Sequence, residues 1–192
     1  GADWVIRLSE PAAARLPGRR LRVADGRPAS ITLGQAEQRG WLRVLTGRRL
    51  DPSPLVSDDP SATVRVWTPA DLAEPRRPRR VGRLELHSRT DPVFTEPGDL
   101  VFVNRPQPLA VLDADGGAAV FAPVRILRVR PGAPLVAAAL LDPIAAQPND
   151  QWRGWVLPQV AQPAPLAEAL AELAAQREEL LAELTGLDRF RH

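Results

Sequence analysis

The side chains best suited to chemistry in this sequence are planar, polar and grouped on segments that proline and glycine keep out of regular structure. Arg48 and Arg49 follow an apolar run, and Thr68 stands at the end of another. Arg76, Arg77, Arg79 and Arg80 share a proline-broken run, and Asn104, Arg105 and Gln107 ride on Asn-Arg-Pro-Gln-Pro. Guanidinium forks and amides of this kind recognise rather than transform. They pair bidentately with phosphate oxygens and with the hydrogen-bonding edges of nucleobases.

Bond-making chemistry finds little support. All 25 basic residues are arginine, so a P-loop lysine, a Schiff-base lysine and an acidic-x-lysine nuclease motif are absent. With no cysteine there is no thiol nucleophile, thiolate zinc site or disulfide framework. The two histidines, His87 and His192, are far apart, and no serine sits in a Gly-x-Ser-x-Gly elbow. Asp113-Ala114-Asp115-Gly116 has the opening of a calcium loop but no carboxylate follows between positions 120 and 130, which leaves a hairpin turn and no metal site as the expectation. A hydrolase built on Asp99 or Asp71 is the weakest reading.

The elements that must carry these groups are short. Twenty-one prolines and 13 glycines in 192 residues favour many brief strands and helices over a bundle, at a length that suits one domain with an appendage. Apolar runs predict strands at 4–8, 21–23, 41–45, 63–67 and 84–86, with a short helix capped by Ser30 and stopped at Gly40. Positions 47–62 have no apolar period and read as a surface loop. Glu96-Pro97-Gly98-Asp99 is a turn, and 100–103 is apolar on both faces, as a strand covered on both sides would be. The loop 104–108 interrupts it. Strands at 109–112 and 118–121 are expected to form a hairpin through 113–117, with a further strand at 125–129. An apolar run at 135–141 reads as a short buried helix, Trp152 and Trp155 as rings closing the edge of a core, and 156–160 as the last strand.

Leu166, Leu170, Leu173, Arg177, Leu180, Leu184 and Leu187 then repeat with alternating spacings of four and three, a heptad seam with one charge in it. A helix of roughly 23 residues would project about 35 Å, too far for a small domain to cover, so a partner helix is expected. Residues 164–188 carry a net charge of −5, which leaves +7 on the rest of the chain. A basic body beside an acidic helix fits a body that meets phosphates and a helix that meets protein.

Pro97-Gly98-Asp99-Leu100-Val101-Phe102 with the polar loop and returning strand after it resembles the segment that closes the target recognition domain of type I restriction-modification specificity subunits. A similar tail occurs on some bacterial adenine-N6 DNA methylases. Upstream, Val64-Arg65-Val66-Trp67-Thr68-Pro69-Ala70-Asp71-Leu72 is similar to that family's strand followed by Asp-Leu, and the helix after Pro163 resembles its spacer helix. The three, in this order, span residues 30–187.

The resemblance implies an α/β (α+β) fold: a mixed, strongly twisted β-sheet body with short helices and one long coiled-coil-type C-terminal helix. Residues 1–162 would be a DNA target recognition domain and 163–192 a spacer or dimerisation helix. The implied partners are double-stranded DNA, a methyltransferase subunit or module, and a second copy through the helix, in the cytoplasm and with no membrane. No Asn-Pro-Pro-aromatic motif or glycine-rich cofactor loop is present, so the chain is not expected to be an enzyme by itself, and S-adenosylmethionine would belong to the methyltransferase. Specificity subunits generally have two such domains and two helices, whereas one of each is seen here. A half-subunit that dimerises, or the C-terminal part of a fused methylase, would account for this, and the absence of Met even at position 1 favours the second. The alternative is a protein-interaction scaffold, an arginine-rich β domain tethered by a coiled coil.

Overall fold

The computed structural model describes residues 29–49, 64–73, 75, 80–81, 92–148 and 151–188. The strands expected at 4–8, 21–23 and 84–86, the loop 50–62, and Arg76, Arg77 and Arg79 lie outside them.

Three open sheets and a few short helices make up a mixed α+β body. Strand β1 (Ser30–Thr32) leads into helix α1 (Leu33–Gln38), followed by β2 (Leu42–Thr46), β3 (Val64–Trp67), helix α2 (Pro69–Ala73), β4 (Arg80–Val81) and β5 (Val93–Phe94). Next come β6 (Asp99–Val103), β7 (Leu109–Asp113), β8 (Ala119–Val120) and β9 (Arg125–Val129). A 3-10 turn (Ala137–Leu140), helix α3 (Leu141–Ala145), a second 3-10 turn (Trp152–Gly154), β10 (Val156–Pro158) and helix α4 (Pro163–Asp188) complete the order.

The central sheet is antiparallel, ordered β2-β9-β6-β7, and its middle strand β6 explains the doubly apolar run. All five β6 residues are buried. Leu100 and Phe102 face one core with Leu33, Ala36, Leu127, Leu140, Ile144, Trp155 and Leu157, while Val101 and Val103 face another with Trp67, Leu72, Val120, Val124 and Ile126. Alternation sends neighbours to opposite faces, so Leu100–Val103, between two cores, are apolar at every position, while Asp99 at the strand's start is buried against Arg128.

Four expectations change in detail. Ser30 opens β1 rather than capping a helix. Thr32 is the N-cap of α1, its hydroxyl accepting from Gln35 N while the Gln35 side chain accepts from Thr32 N. The helix ends as expected, with Gly40 at φ 70°, where a side chain would be strained. β7 and β8 do not form a hairpin, because β7 pairs with β6 while β8 joins a second four-stranded sheet, β4-β3-β8-β5, in which it runs parallel to β3. The apolar run at 135–141 is divided between the first 3-10 turn and α3, and Pro143 is accommodated in the first turn of α3, where its missing N–H has no intrahelical partner to lose. The last strand is only Val156–Pro158, paired with β1.

The two larger sheets meet where Gly47, at the end of β2, crosses β8. A Cβ built on Gly47 would lie 2.6 Å from the Phe121 carbonyl carbon and 2.8 Å from Val120 O, both backbone atoms that cannot step aside. Gly47→Ala is therefore expected to lower unfolding stability by about 1 to 3 kcal/mol, the usual cost of overpacking. A denaturant midpoint unchanged from the parent chain would contradict this junction.

Helix α4 runs for 26 residues, about 39 Å at 1.5 Å per residue. Leu166, Leu170 and Leu173 are half-buried, whereas residues 174–180 are exposed, Arg177 included, with Leu180 at 55 %. The side chains of Leu184 and Leu187 lie outside the described residues.

Candidate nucleic-acid interface

One end of the central sheet gathers five of the ten polar groups singled out from the sequence. The ladder there aligns Thr46 of β2 with Arg125 of β9, Arg125 with Phe102 of β6, and Phe102 with Ala110 of β7. The segments leaving these strands at that end are Arg48-Arg49 after β2, the turn 121–124 before β9, and the loop 104–108 between β6 and β7. Arg48 and Arg49 are exposed, and the Arg48 backbone is fixed to the neighbouring turn by Arg48 N→Val120 O at 3.3 Å and Ala122 N→Arg48 O at 2.8 Å. Arg105 and Gln107 are exposed on the loop tip and Asn104 is half-buried at its base.

Asn104 does not stand alone. Arg125 Nη1 donates to Asn104 Oδ1 at 3.2 Å and to Pro123 O at 3.2 Å. The Arg125 guanidinium also sits 5.3 Å from the centre of the Trp152 ring, which Arg153 approaches from 4.3 Å. Trp152 in turn packs edge-on to Phe102 at 6.0 Å. Between the loop base and the second 3-10 turn opens a cleft of about 500 Å³, walled by Val103, Asn104, Arg105, Pro123, Arg125, Gln151, Trp152 and Arg153. Three guanidiniums line it, and no carboxylate does among the described residues. Burial, and then the positive charge of Arg153, push the Arg125 guanidinium below its ordinary pKa, although an arginine remains cationic. The Arg153 Nε lies 3.5 Å from Glu37 Oε2, outside the cleft wall.

Other sequence candidates fall elsewhere. Thr68 is buried, and its hydroxyl and backbone N–H both donate to Asp71 Oδ2, closing the first turn of α2. These contacts are those of a local cap. Arg80 is exposed on β4, opposite Arg65 in the second sheet. Asp99 is 2 % exposed and accepts from Arg128 Nη2 at 2.7 Å, Arg128 Nε at 2.9 Å and Glu96 N at 2.7 Å. Asp71 and Asp99 are thus structural carboxylates, engaged by a helix cap and a turn, and neither is presented to a substrate.

Arg125, Trp152 and Arg153 are the members that sequence reasoning missed. An arginine inside an apolar strand looks like an ordinary solvated position, and Trp152, expected to close the edge of a core, does pack against the core of Leu100 and Phe102 while its other side lines the cleft. Trp155 packs in that core at 1 % exposure, its Nε1 donating to Pro148 O at 2.9 Å. Trp152, three residues earlier, is half-buried and faces the cleft. The Gln-Trp-Arg-Gly-Trp spacing was the available signal, since two indoles three apart on a polar turn cannot both enter one core at the same depth.

No protein-family model and no curated protein matches the chain. Solved structures do. The HsdS subunit from Thermoanaerobacter tengcongensis matches at a TM-score of 0.48 and 16% identity, over 89% of this chain and 41% of that one. A chain from a structure of the complex assembly and conformational transition of the type I R-M system matches at 0.48 and 15%, over 89% and 45%. This chain therefore spans less than half the length of either matched chain.

Proposed function

We propose that this chain is a sequence-specific DNA recognition module of a restriction-modification system or adenine-N6 DNA methyltransferase, which positions the methyltransferase on its target. The observation that carries this reading is the convergence at one sheet end of Arg48, Arg49, Asn104, Arg105 and Gln107. These are cationic and amide forks on segments free of the ladder, mounted on a strand buried on both faces. Such a mount fixes direction, which base readout requires, while the loop tip remains free of core packing. Arg76, Arg77, Arg79 and Arg80 supply phosphate contacts indifferent to sequence, and Arg105, Asn104 and Gln107 address base edges in the major groove.

Residues 163–192 act as the docking element, on a partner helix of a methyltransferase module or of a second copy. The exposed stretch from 174 to 180 supports this. S-adenosylmethionine belongs to that methyltransferase. Among the described residues no helix is long and apolar enough to cross a membrane, and the DNA reading assigns the protein to the cytoplasm.

Leu173→Glu together with Leu180→Glu is expected to leave the body folded, because these positions are half-buried and exposed, while self-association or docking is lost in sedimentation. A strictly monomeric parent chain, combined with a methyltransferase that works without residues 166–187, would remove the docking role. Affinity that shows no preference among duplexes would favour the interaction-scaffold reading instead.

A further inference from the structure

The cleft behind the loop 104–108 presents an arrangement that base readout does not require. Arg125 and Arg153 converge on one indole, and Arg105 lines the same space. Attraction of a cation to the ring quadrupole stabilises each guanidinium alone, but two like charges on one ring repel, and one of them is half-buried. Arg125 is held in place regardless, by Asn104 Oδ1 and Pro123 O. Glu37 Oε2, 3.5 Å from Arg153 Nε and outside the cleft, offsets part of that repulsion; an anion in the cleft would relieve the rest, and a neutral or cationic occupant would not.

We infer that this cleft is a phosphate-binding site, in which Arg125 and Arg153 hold one phosphate group and Trp152 forms the floor, with Arg105 at its mouth left to the bases. A single carboxylate would be satisfied by one guanidinium fork, whereas two forks converging on one space, with the Gln151 amide beside them, match a group that directs several oxygens outward. The volume, within the range of small-molecule sites, leaves room for the sugar that carries the phosphate. Resting on the DNA reading, the site is an anchor. It fixes one backbone phosphate next to Asn104, which shares Arg125 with it, and so sets the register in which the loop meets the bases. A free phosphate or nucleotide offers the same chemistry, and the experiment separates the two sources.

Indole N–H resonances of the intact chain provide the readout, that of Trp152 identified by its loss in Trp152→Phe. The Trp67 and Trp155 indoles, bonded internally to Asp113 and to Pro148 O, serve as references. Inorganic phosphate titrated at constant ionic strength should shift Trp152 saturably and leave Trp67 unmoved. Arg153→Ala, a change at a side chain 66% exposed, should raise the phosphate dissociation constant about tenfold or more. Arg125→Lys, which keeps the charge and loses the fork, should also weaken it without unfolding the chain.

A short DNA duplex should move the same resonance at far lower concentration and compete with phosphate. If phosphate shifts Trp152 but a bound duplex does not, the site takes free phosphate and its anchoring role fails, while DNA recognition stands. If phosphate binds in the cleft and no duplex binds at all, the DNA reading fails and the anion site stands. No response to phosphate, or a stronger response to polyglutamate than to phosphate or duplex, overturns the assignment.

Discussion

Replacing Asp113 by Ala should cost the fold on the order of 3 to 5 kcal/mol, the usual loss when one member of a buried charged network is removed. Asp113 is 1% exposed and accepts four hydrogen bonds: from Arg65 Nη2 at 2.8 Å, Trp67 Nε1 at 3.2 Å, Thr95 Oγ1 at 2.7 Å and Gly116 N at 3.2 Å. These donors come from β3, from the segment before β6 and from the turn after β7, so this carboxylate ties the second sheet to the central one. Truncation leaves an arginine, an indole N–H and a hydroxyl facing a space that water fills poorly. Domains of this size are stable by about 5 to 15 kcal/mol in total, so a large part of the chain should be unfolded under mild denaturant. Asp115→Ala is the internal control. Its carboxylate is 85% exposed and 3.6 Å from Arg65 Nη1, and exposed pairs contribute about 0 to 1 kcal/mol. Urea unfolding of the two variants side by side should separate them clearly, and equal midpoints would mean that the Asp113 network does not join the sheets.

The second large effect is on recognition. Arg105→Ala should relax sequence preference at one position of the site by about 1 to 3 kcal/mol, the discrimination of a good bidentate pair with a base edge. It should leave stability nearly unchanged, since Arg105 is exposed and outside the ladder. Neutralising Arg80 together with Arg76, Arg77 and Arg79 should instead weaken binding to all duplexes alike and flatten the dependence on salt. The two outcomes differ in kind, so a competition series with single-base variants of one duplex distinguishes them. An Arg105→Ala protein with its preference intact would place the reading element elsewhere, with Gln107 and Asn104 the next positions to replace.

Much of the central sheet was legible because its signals are local. The doubly apolar run of β6, the Pro-Gly turn before it, the proline-bounded loop after it and the glycine stop of α1 each depend on neighbours within a few residues. The pairing of β8 was not legible. Asp113-Ala-Asp-Gly-Gly carries a strong hairpin signal, but the chain uses that turn to leave the central sheet, and β8 meets β3 in a parallel pairing across more than 50 residues. Nothing in a short window encodes that choice. The same holds for Asp113 itself, whose sequence setting is that of a turn aspartate and whose role appears only when Arg65, Trp67 and Thr95 arrive from elsewhere. The loop that carries Asn104, Arg105 and Gln107 was legible from composition and proline spacing. Arg125 was not, because a strand arginine becomes distinctive only when Trp152 and Arg153 fold against it. The capping role of Thr68 was legible from the Pro69-Ala70-Asp71-Leu72 turn that follows it, and its burial was not.

The central claim, that this chain reads DNA sequence, is tested most directly by selecting from a pool of randomised duplexes with the intact chain at two salt concentrations, in the presence of its methyltransferase partner. The expected result is a defined preferred sequence at both concentrations, with affinity falling steeply as salt rises and the preference retained. Binding that shows no preference at either concentration would contradict the account.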